Sequence, residues 1–239
     1  FISALETFGD SSLTATVQYN TGKLIDILRE KEVFDVCKVS REQYDHANAI
    51  DLKLGKVVRD LVFETNIEDS YKEYLILEEQ IEREFSGDLY IYAKQGALSV
   101  KSLYYYKAQN WDKAIDFTVE CIALNDYLVH RGMPSLNLRI FEQNKNISRV
   151  LYKSGKNAEG GILLNHLFNY LLNGVNNSLY GSIFHHAEYW EKVPLIRETY
   201  AYELVCMIVE DMIWFYPDMT ELYPMDWYEG LDFEVDNPN

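Results

Sequence analysis

Two adjacent histidines in the segment His185-His186-Ala187-Glu188 are the residues whose types first suggest metal chemistry. Neighbouring positions on a helix point about 100° apart, so both imidazoles cannot bind one ion from the same face. His186 and Trp190 share a face, but no HExxH motif and no Glu-x-x-His pair supplies the further ligands of a zinc or di-iron site. We therefore expect no metal site.

The residues that could act as nucleophiles or hold phosphate also lack partners. Cys37, Cys121 and Cys206 lie far apart and form no CxxC pair, which favours a reducing compartment over a disulfide framework. No GxSxG motif occurs, and Gly160-Gly161 lacks the strand and the lysine of a phosphate-binding loop. The sequence thus predicts a protein that is not an enzyme and that needs no cofactor.

A row of basic residues suggests binding rather than catalysis. Lys145, Arg149 and Lys153 recur every four residues, which places them on one face of a helix. Such a row suits carboxylates, either at the C-terminus of a peptide or on its acidic side chains. The alternative is that the row pairs with acidic residues of the chain itself.

The elements that would position these residues are helices, because apolar residues recur at spacings of three and four along nearly the whole chain. Gly and Pro number only 12 and 5 among 239 residues, too few for the many turns of a β-sandwich. The predicted helices cover residues 11–36 with a break at Thr21-Gly22, a long segment after the N-cap Ser40, and residues 68–85, 89–109, 111–126, 135–153, 158–173 and 194–215.

Within these helices the apolar spacing predicts which residues are buried. In the helix after Ser40 the buried face comprises Ala47, Ile50, Leu54, Val57, Val58, Leu61 and Val62. In the helix over 68–85 it comprises Tyr71, Tyr74, Leu75, Leu77 and Ile81. The acidic and amide residues of that second helix, Glu78, Glu79, Gln80 and Glu82, are expected to face water.

The net charge limits the kinds of partner. The chain has 38 acidic and 22 basic residues, a net charge of −16, which would repel a nucleic-acid backbone or an anionic membrane surface. No apolar run has the length of a membrane span. An acidic surface can also imitate nucleic acid and bind a basic protein, although more often it only keeps a protein soluble.

One segment resembles a known repeat. Residues 103–126, LYYYKAQNWDKAIDFTVECIALND, are similar to the end of the first helix, the turn and the second helix of a tetratricopeptide repeat. Tyr105 and Tyr106 correspond to the late tyrosine, Gln109-Asn110-Trp111 to the turn, and Ala114 to the small residue of the second helix. That residue must be small because the two helices cross closely there.

A second, weaker copy lies at residues 141–172. Tyr152 corresponds to the late tyrosine, Gly155 lies in the turn, and Gly160 takes the small position, 46 residues after Ala114. The family's period is about 34, so the second copy would have a longer inner helix or loop. The resemblance implies an all-α fold in which antiparallel helix pairs stack as a tetratricopeptide-like α-solenoid.

The resemblance also implies where a ligand would bind, because the inner helices of such a solenoid line a concave groove. It places the basic row of the second copy in that groove, with Lys107 at the matching place on the first copy and Asn110 nearby. The candidate peptide-binding residues are Lys107, Tyr106, Asn110, Lys145, Arg149 and Lys153.

The last residues differ in composition from the rest of the chain. Residues 216–239 contain seven acidic residues, no Lys or Arg, and five aromatic residues. Disordered tails are poor in aromatic residues, so we expect this segment to dock. We expect residues 1–215 to form the helical-repeat domain and the tail to cap it, with docking in a partner's groove as the alternative.

Together these observations favour a cytoplasmic module that binds a protein or peptide in its concave groove, with self-association left open. One alternative is an acidic inhibitor or nucleic-acid mimic that acts on a basic partner. Another is the sensor half of a peptide-responsive regulator. Since the chain begins at Phe1 rather than Met, we expect that a preceding segment was removed.

Overall fold

The computed structural model describes residues 26–63, 66–173 and 180, and all regular structure in these ranges is helical. Residues 26–37 are helical and are called α1. The helices that follow are α2 (Arg41–Val62), α3 (Ile67–Glu84), α4 (Gly87–Lys107), α5 (Trp111–Arg131), a short 3-10 helix (Pro134–Leu136), α6 (Asn137–Lys153) and α7 (Asn157–Asn173). The predicted all-α class is thereby confirmed for this part of the chain.

Several predicted features lie outside the described residues. These are the helices within 11–25 and 194–215, the boundary between residues 215 and 216, and the acidic tail. From Ile27 onward, the described residues belong to one compact unit of the chain. None of the described helices has both the length and the apolar composition needed to cross a bilayer.

The helix ends follow local chemistry. Ser40 forms a capping box at the start of α2, since its Oγ accepts from the Gln43 N–H at 3.2 Å and its own N–H donates to Gln43 Oε1 at 2.9 Å. Asn66 and Asn110 cap α3 and α5 with their side-chain oxygens. Gly132 ends α5 in the left-handed conformation, at φ 113°. The predicted cap at Ser40 is therefore confirmed.

Gly55 lies inside α2, where glycine destabilises a helix, and no neighbouring atom requires a residue without a side chain there. A Cβ atom added there would have no neighbour within 4 Å. We expect Gly55→Ala to raise the free energy of unfolding by about 1 kcal/mol, because alanine restricts the unfolded backbone more than glycine does. Urea denaturation measures this gain. Gly96→Ala is the control and should gain less, since its Cβ would lie 3.3 Å from Asp51 Oδ1.

Consecutive helices pack as antiparallel hairpins. In the α2–α3 hairpin, His46 contacts Glu84 at 2.7 Å near the open end, and Lys56 lies 3.9 Å from Glu73. Helices α4 and α5 are joined by only three residues, and α6 and α7 likewise. Each helix from α2 to α7 packs on the next, and α2 also packs on α4.

The buried faces agree with the predicted spacing, apart from two residues at their edges. The buried members of the α2–α4 core are Ile50, Leu54, Val57, Leu61, Tyr74, Leu77, Ile81, Ala97 and Val100. The prediction was wrong for Val62 and Leu75, which are 46% and 44% exposed. Each follows a buried residue by one position, about 100° around the helix, and therefore points away from the core.

Both predicted small positions are buried where two helices approach closely. The carbonyl of Ala114 accepts hydrogen bonds from the hydroxyls of Ser102 and Thr118, both at 2.8 Å. A Cβ atom on Gly160 would lie 3.0 to 3.2 Å from ring carbons of Tyr152. Helices α4 and α5 thus meet at Ala114, and α6 and α7 meet at Gly160.

Candidate functional site

Three of the predicted binding residues surround the turn between α4 and α5. Lys107 is the last residue of α4, and its Nζ donates to the carbonyl of Val62 at 3.2 Å. The rings of Tyr106 and Trp111 lie 5.6 Å apart in an edge-to-face arrangement. Asn110 Oδ1 accepts from the Lys113 N–H at 3.3 Å. The turn is therefore held by its own side chains, and Lys107 ties it to the end of α2.

The other three, Lys145, Arg149 and Lys153, form the basic row on α6. Lys145 and Arg149 are half-buried and Lys153 is exposed. All three residues already interact with other groups of the folded chain. A ligand carboxylate would have to share or replace those interactions.

The rest of the circumference of α6 is largely buried. Its buried residues are Asn137, Leu138, Ile140, Phe141, Gln143, Asn144, Ile147, Ser148, Val150, Leu151 and Tyr152. Asn144, beside the basic row, is fully buried, and its Nδ2 donates to the carbonyls of Ile140 at 2.9 Å and Tyr180 at 3.0 Å. The basic row is thus part of the side of α6 that these residues leave partly open.

The six predicted residues thus form two groups, one at the α4–α5 turn and one along α6. A hydrogen bond of 3.0 Å from Gln143 Nε2 to Ser99 Oγ joins α6 to α4. Tyr106 and Lys107 lie in the last turn of α4, and Lys153 ends α6. Tyr106, Lys107 and Lys153 therefore lie at the C-terminal ends of these two helices, Asn110 lies in the turn after α4, and Lys145 lies at the middle of α6.

A buried ion cluster between α3 and α4 was not predicted. The Glu78 side chain is only 12% exposed, and its Oε1 lies 2.9 Å from Lys94 Nζ and 3.1 Å from Lys101 Nζ. Lys94 also contacts Glu82 at 2.9 Å. The expectation that Glu78 faces water was wrong, because Glu78 follows Tyr74 by four residues and so lies on the buried stripe of α3.

The protonation of Glu78 follows from these contacts. Burial raises the pKa of its carboxyl group, but the hydrogen bonds from Lys94 and Lys101 outweigh burial and hold the pKa below its ordinary value. The group is therefore ionised at neutral pH. A carboxylate shared by two ammonium groups of α4 fixes the position of α3 along that helix.

Stacked aromatic rings continue the same interface toward the α4–α5 turn. The rings of Tyr71 and Tyr104 lie 3.6 Å apart and nearly parallel, and those of Tyr105 and Phe117 lie 5.3 Å apart. Lys113 Nζ lies 4.9 Å from the Tyr105 ring centroid. The four rings are half-buried and join α3, α4 and α5.

Neither described cysteine has an activated thiol. Burial raises the pKa of Cys121 to about 11, and burial together with the charge of Asp88 raises the pKa of Cys37 to about 11. Thiols with raised pKa values are poor nucleophiles at neutral pH. The third cysteine, Cys206, and the segment His185–Glu188 lie outside the described residues.

No group of three or more His, Cys, Asp or Glu side chains within the described ranges has the arrangement of metal ligands. Comparison of the chain with protein-family models, with curated proteins and with solved structures found no match.

Proposed function

We propose that this chain is a module that binds a peptide or protein segment, and that its helical hairpins stack as a tetratricopeptide-like solenoid. The order of packing supports the stack. Helix α2 packs on α3 and α4, and each later helix packs on the next. In such an arrangement α2, α4 and α6 are inner helices and α3, α5 and α7 are outer helices.

Contacts between alternate helices also support this arrangement. The packing of α2 on α4, and the hydrogen bond from Gln143 on α6 to Ser99 on α4, are contacts that neighbouring inner helices would make. Helices α4 and α5 approach closely at Ala114, and α6 and α7 do so at Gly160, which is consistent with two copies of the same helical repeat. The inner helices would then line the ligand groove.

The basic row on α6 is the observation that carries the functional proposal. It is a partly open row of three cations in a chain with a net charge of −16. The row runs toward the C-terminal end of α6, and Lys107 lies at the C-terminal end of α4. A carboxylate-bearing peptide would lie across Lys145, Arg149 and Lys153, with Tyr106, Lys107 and Asn110 contacting the rest of it.

A charge-reversal variant tests this site. The probe is a peptide selected for binding from a random library displayed with free C-termini, then synthesised and labelled. We expect Lys145→Glu, Arg149→Glu and Lys153→Glu together to weaken its binding by about tenfold or more, because attraction becomes repulsion. Fluorescence anisotropy measures the affinity, which should also fall as salt is added.

The matched control reverses three exposed lysines of α2 and α3, namely Lys53, Lys56 and Lys72. It changes the net charge by the same amount but leaves the α6 row intact. The peptide should therefore bind this variant with the same affinity as the wild type. Circular dichroism checks that both variants keep their helicity. Equal binding by the wild type and the α6 variant would place the site elsewhere.

The same two variants separate this proposal from an acidic mimic of nucleic acid. A mimic acts through its total negative charge, which both variants increase equally. Polylysine serves as the basic probe. If both variants bind polylysine more tightly than the wild type, and the selected peptide binds all three proteins alike, the acidic surface is the functional one.

A further inference from the structure

Helices α4 and α6 bring an arginine and a tyrosine close together outside the sites described above. Gln143 Nε2 of α6 donates to Ser99 Oγ of α4 at 3.0 Å, and the two helices run in the same direction because each is antiparallel to α5. Arg139 precedes Gln143 by about one turn, and Tyr92 precedes Ser99 by about two turns. The backbones of Arg139 and Tyr92 are therefore offset by only about 5 Å along the helix axes.

An aspartate of α2 lies beside the same part of α4. A Cβ atom on Gly96, one turn after Tyr92, would lie 3.3 Å from Asp51 Oδ1. Burial raises the pKa of Tyr92, and the charge of Asp51 raises it further. The charges of Arg139 and of Arg29 on α1 act in the opposite direction. The Tyr92 hydroxyl therefore lies among charged groups of α1, α2 and α6 and stays protonated at neutral pH.

Helix α1, which carries Arg29, is held beside these residues from two sides. The rings of Phe34 on α1 and Tyr44 on α2 lie 5.1 Å apart. The Glu32 carboxylate accepts from the Ser135 N–H at 3.2 Å. These contacts hold α1, and with it Arg29, beside α2 and the connection that leads into α6.

The polar groups of the arginine, the tyrosine and the aspartate are not used by the fold. Among the residues that the structure describes, the Arg139 guanidinium, the Tyr92 hydroxyl and the Asp51 carboxylate make no hydrogen bond. The one ion pair of Arg139 in this part of the chain joins its Nη1 to Glu142 Oε2 at 3.6 Å, a distance too long for a hydrogen bond. The side chains of Arg139 and Glu142 are 36% and 35% exposed, Tyr92 is half-buried and Asp51 is exposed. Small solutes can therefore reach all four side chains.

The charges of this region balance. Arg29 and Arg139 supply two positive charges, and Asp51 and Glu142 supply two negative ones. A ligand with only a negative or only a positive charge would be repelled by one of these pairs. A ligand that carries both a carboxylate and an ammonium group adds no net charge and has a partner for each.

We propose that Arg139, Tyr92 and Asp51 form a binding site for a small zwitterion of the α-amino-acid type. The ligand carboxylate accepts hydrogen bonds from the Arg139 guanidinium and the Tyr92 hydroxyl, and the ligand ammonium donates to the Asp51 carboxylate. A second carboxylate on the ligand would be repelled by Glu142, so amino acids with uncharged side chains should bind better than aspartate or glutamate. The site uses none of the residues of the proposed peptide site and is independent of it.

A screen with free amino acids tests the site. Each common amino acid is added to the chain at about 10 mM, and thermal denaturation detects binding because a ligand of the folded state raises the melting temperature. The amino acid with the largest effect is then compared with its amide, which lacks the carboxylate, and with its N-acetyl derivative, which lacks the ammonium. Isothermal titration calorimetry should show that both derivatives bind at least about tenfold more weakly. If no amino acid stabilises the chain, or if the derivatives bind as tightly, the proposal is overturned.

Two substitutions assign the two ends of the ligand. Arg139→Gln should weaken amino-acid binding about tenfold and remove the preference over the amide, but keep the preference over the N-acetyl derivative. Asp51→Asn should remove the preference over the N-acetyl derivative and keep the preference over the amide. If both variants keep both preferences, these residues do not form the site.

Matched controls make the same changes of charge elsewhere. Arg59→Gln on α2 and Asp116→Asn on α5 alter exposed residues and should bind the amino acid with the affinity of the wild type. Tyr92→Phe removes one hydroxyl and keeps the ring, so it should weaken binding several-fold. This variant and Asp51→Asn decide the outcome if Arg139→Gln loses its helical circular dichroism. Wild-type affinity in both of them would overturn the proposal.

Discussion

Replacing Glu78 with alanine is expected to lower the free energy of unfolding by about 3 kcal/mol, because the substitution removes the carboxylate that Lys94 and Lys101 share in the α3–α4 interface and leaves Lys94 paired with the exposed Glu82. Lys94 is only 12% exposed, so water cannot fully replace the lost partner. Urea denaturation at neutral pH measures the loss. The neighbouring exposed residue provides the control: Glu79→Ala should change stability by less than about 0.5 kcal/mol. Similar losses for the two variants would mean that the ion cluster does not hold the interface.

The same cluster should make the stability of the fold depend on pH, and the direction of the change follows from the pKa of Glu78. The pKa of Glu78 is lower in the folded protein than its ordinary value of 4.5. Its carboxylate therefore stabilises the fold above the unfolded pKa, and this contribution disappears as the pH falls through the folded pKa. The stability difference between the wild type and Glu78→Gln should shrink as the solution is acidified below about pH 4.5. A difference that stays constant would contradict the assigned contacts.

Replacing Ala114 with leucine should destabilise the protein by about 2–3 kcal/mol, toward the upper end for overpacked cores. Ala114 is fully buried, and its carbonyl is held by the hydroxyls of Ser102 and Thr118. The two hydroxyl oxygens also lie only 2.6 Å apart, so a larger side chain would force apart groups that are already in close contact. Thermal and urea denaturation measure the cost.

Ala108→Leu is the matched control for that substitution. Ala108 is the exposed C-cap residue of α4, so the added atoms meet solvent and stability should hardly change. If Ala114→Leu melts at the wild-type temperature, helices α4 and α5 do not cross closely at Ala114. The resemblance to a tetratricopeptide repeat would then lose its physical basis at this position.

Local patterns were sufficient to predict most of the described fold. The cap at Ser40 depends on residues within one turn, and the buried face of α2 depends on spacings of three and four. The small residues Ala114 and Gly160 were also predictable, because a close crossing excludes larger side chains. These features require no knowledge of which helix packs on which.

The predictions of burial were wrong where the polarity of a side chain was given more weight than its position around the helix. Glu78 occupies an inward position of α3, and two lysines seven residues apart on α4 make its burial tolerable. The spacing of Lys94 and Lys101 on one helical face was a signal that could have revealed the pair. Its match to Glu78 could not be derived, because the sequence does not give the relative position of α3 and α4.

The candidate site was predictable to a similar degree. The period of four placed Lys145, Arg149 and Lys153 in one row on α6, but it did not show that they interact with other groups of the folded chain. A helix near residue 36 was likewise predicted, whereas its position between Tyr44 and Ser135 was not. Contacts across about one hundred residues of sequence depend on packing that no single segment encodes.

The connection from α5 to α6 affects how the molecule can deform. Met133, Ser135 and Leu136 are fully buried, whereas connections of this kind usually lie on the surface. A hinge needs backbone that can rotate without disturbing close-packed neighbours, and buried side chains resist such rotation. The hairpins α4–α5 and α6–α7 should therefore move together as one rigid body when force acts on either one. Any bending of the molecule would have to take place outside this joint.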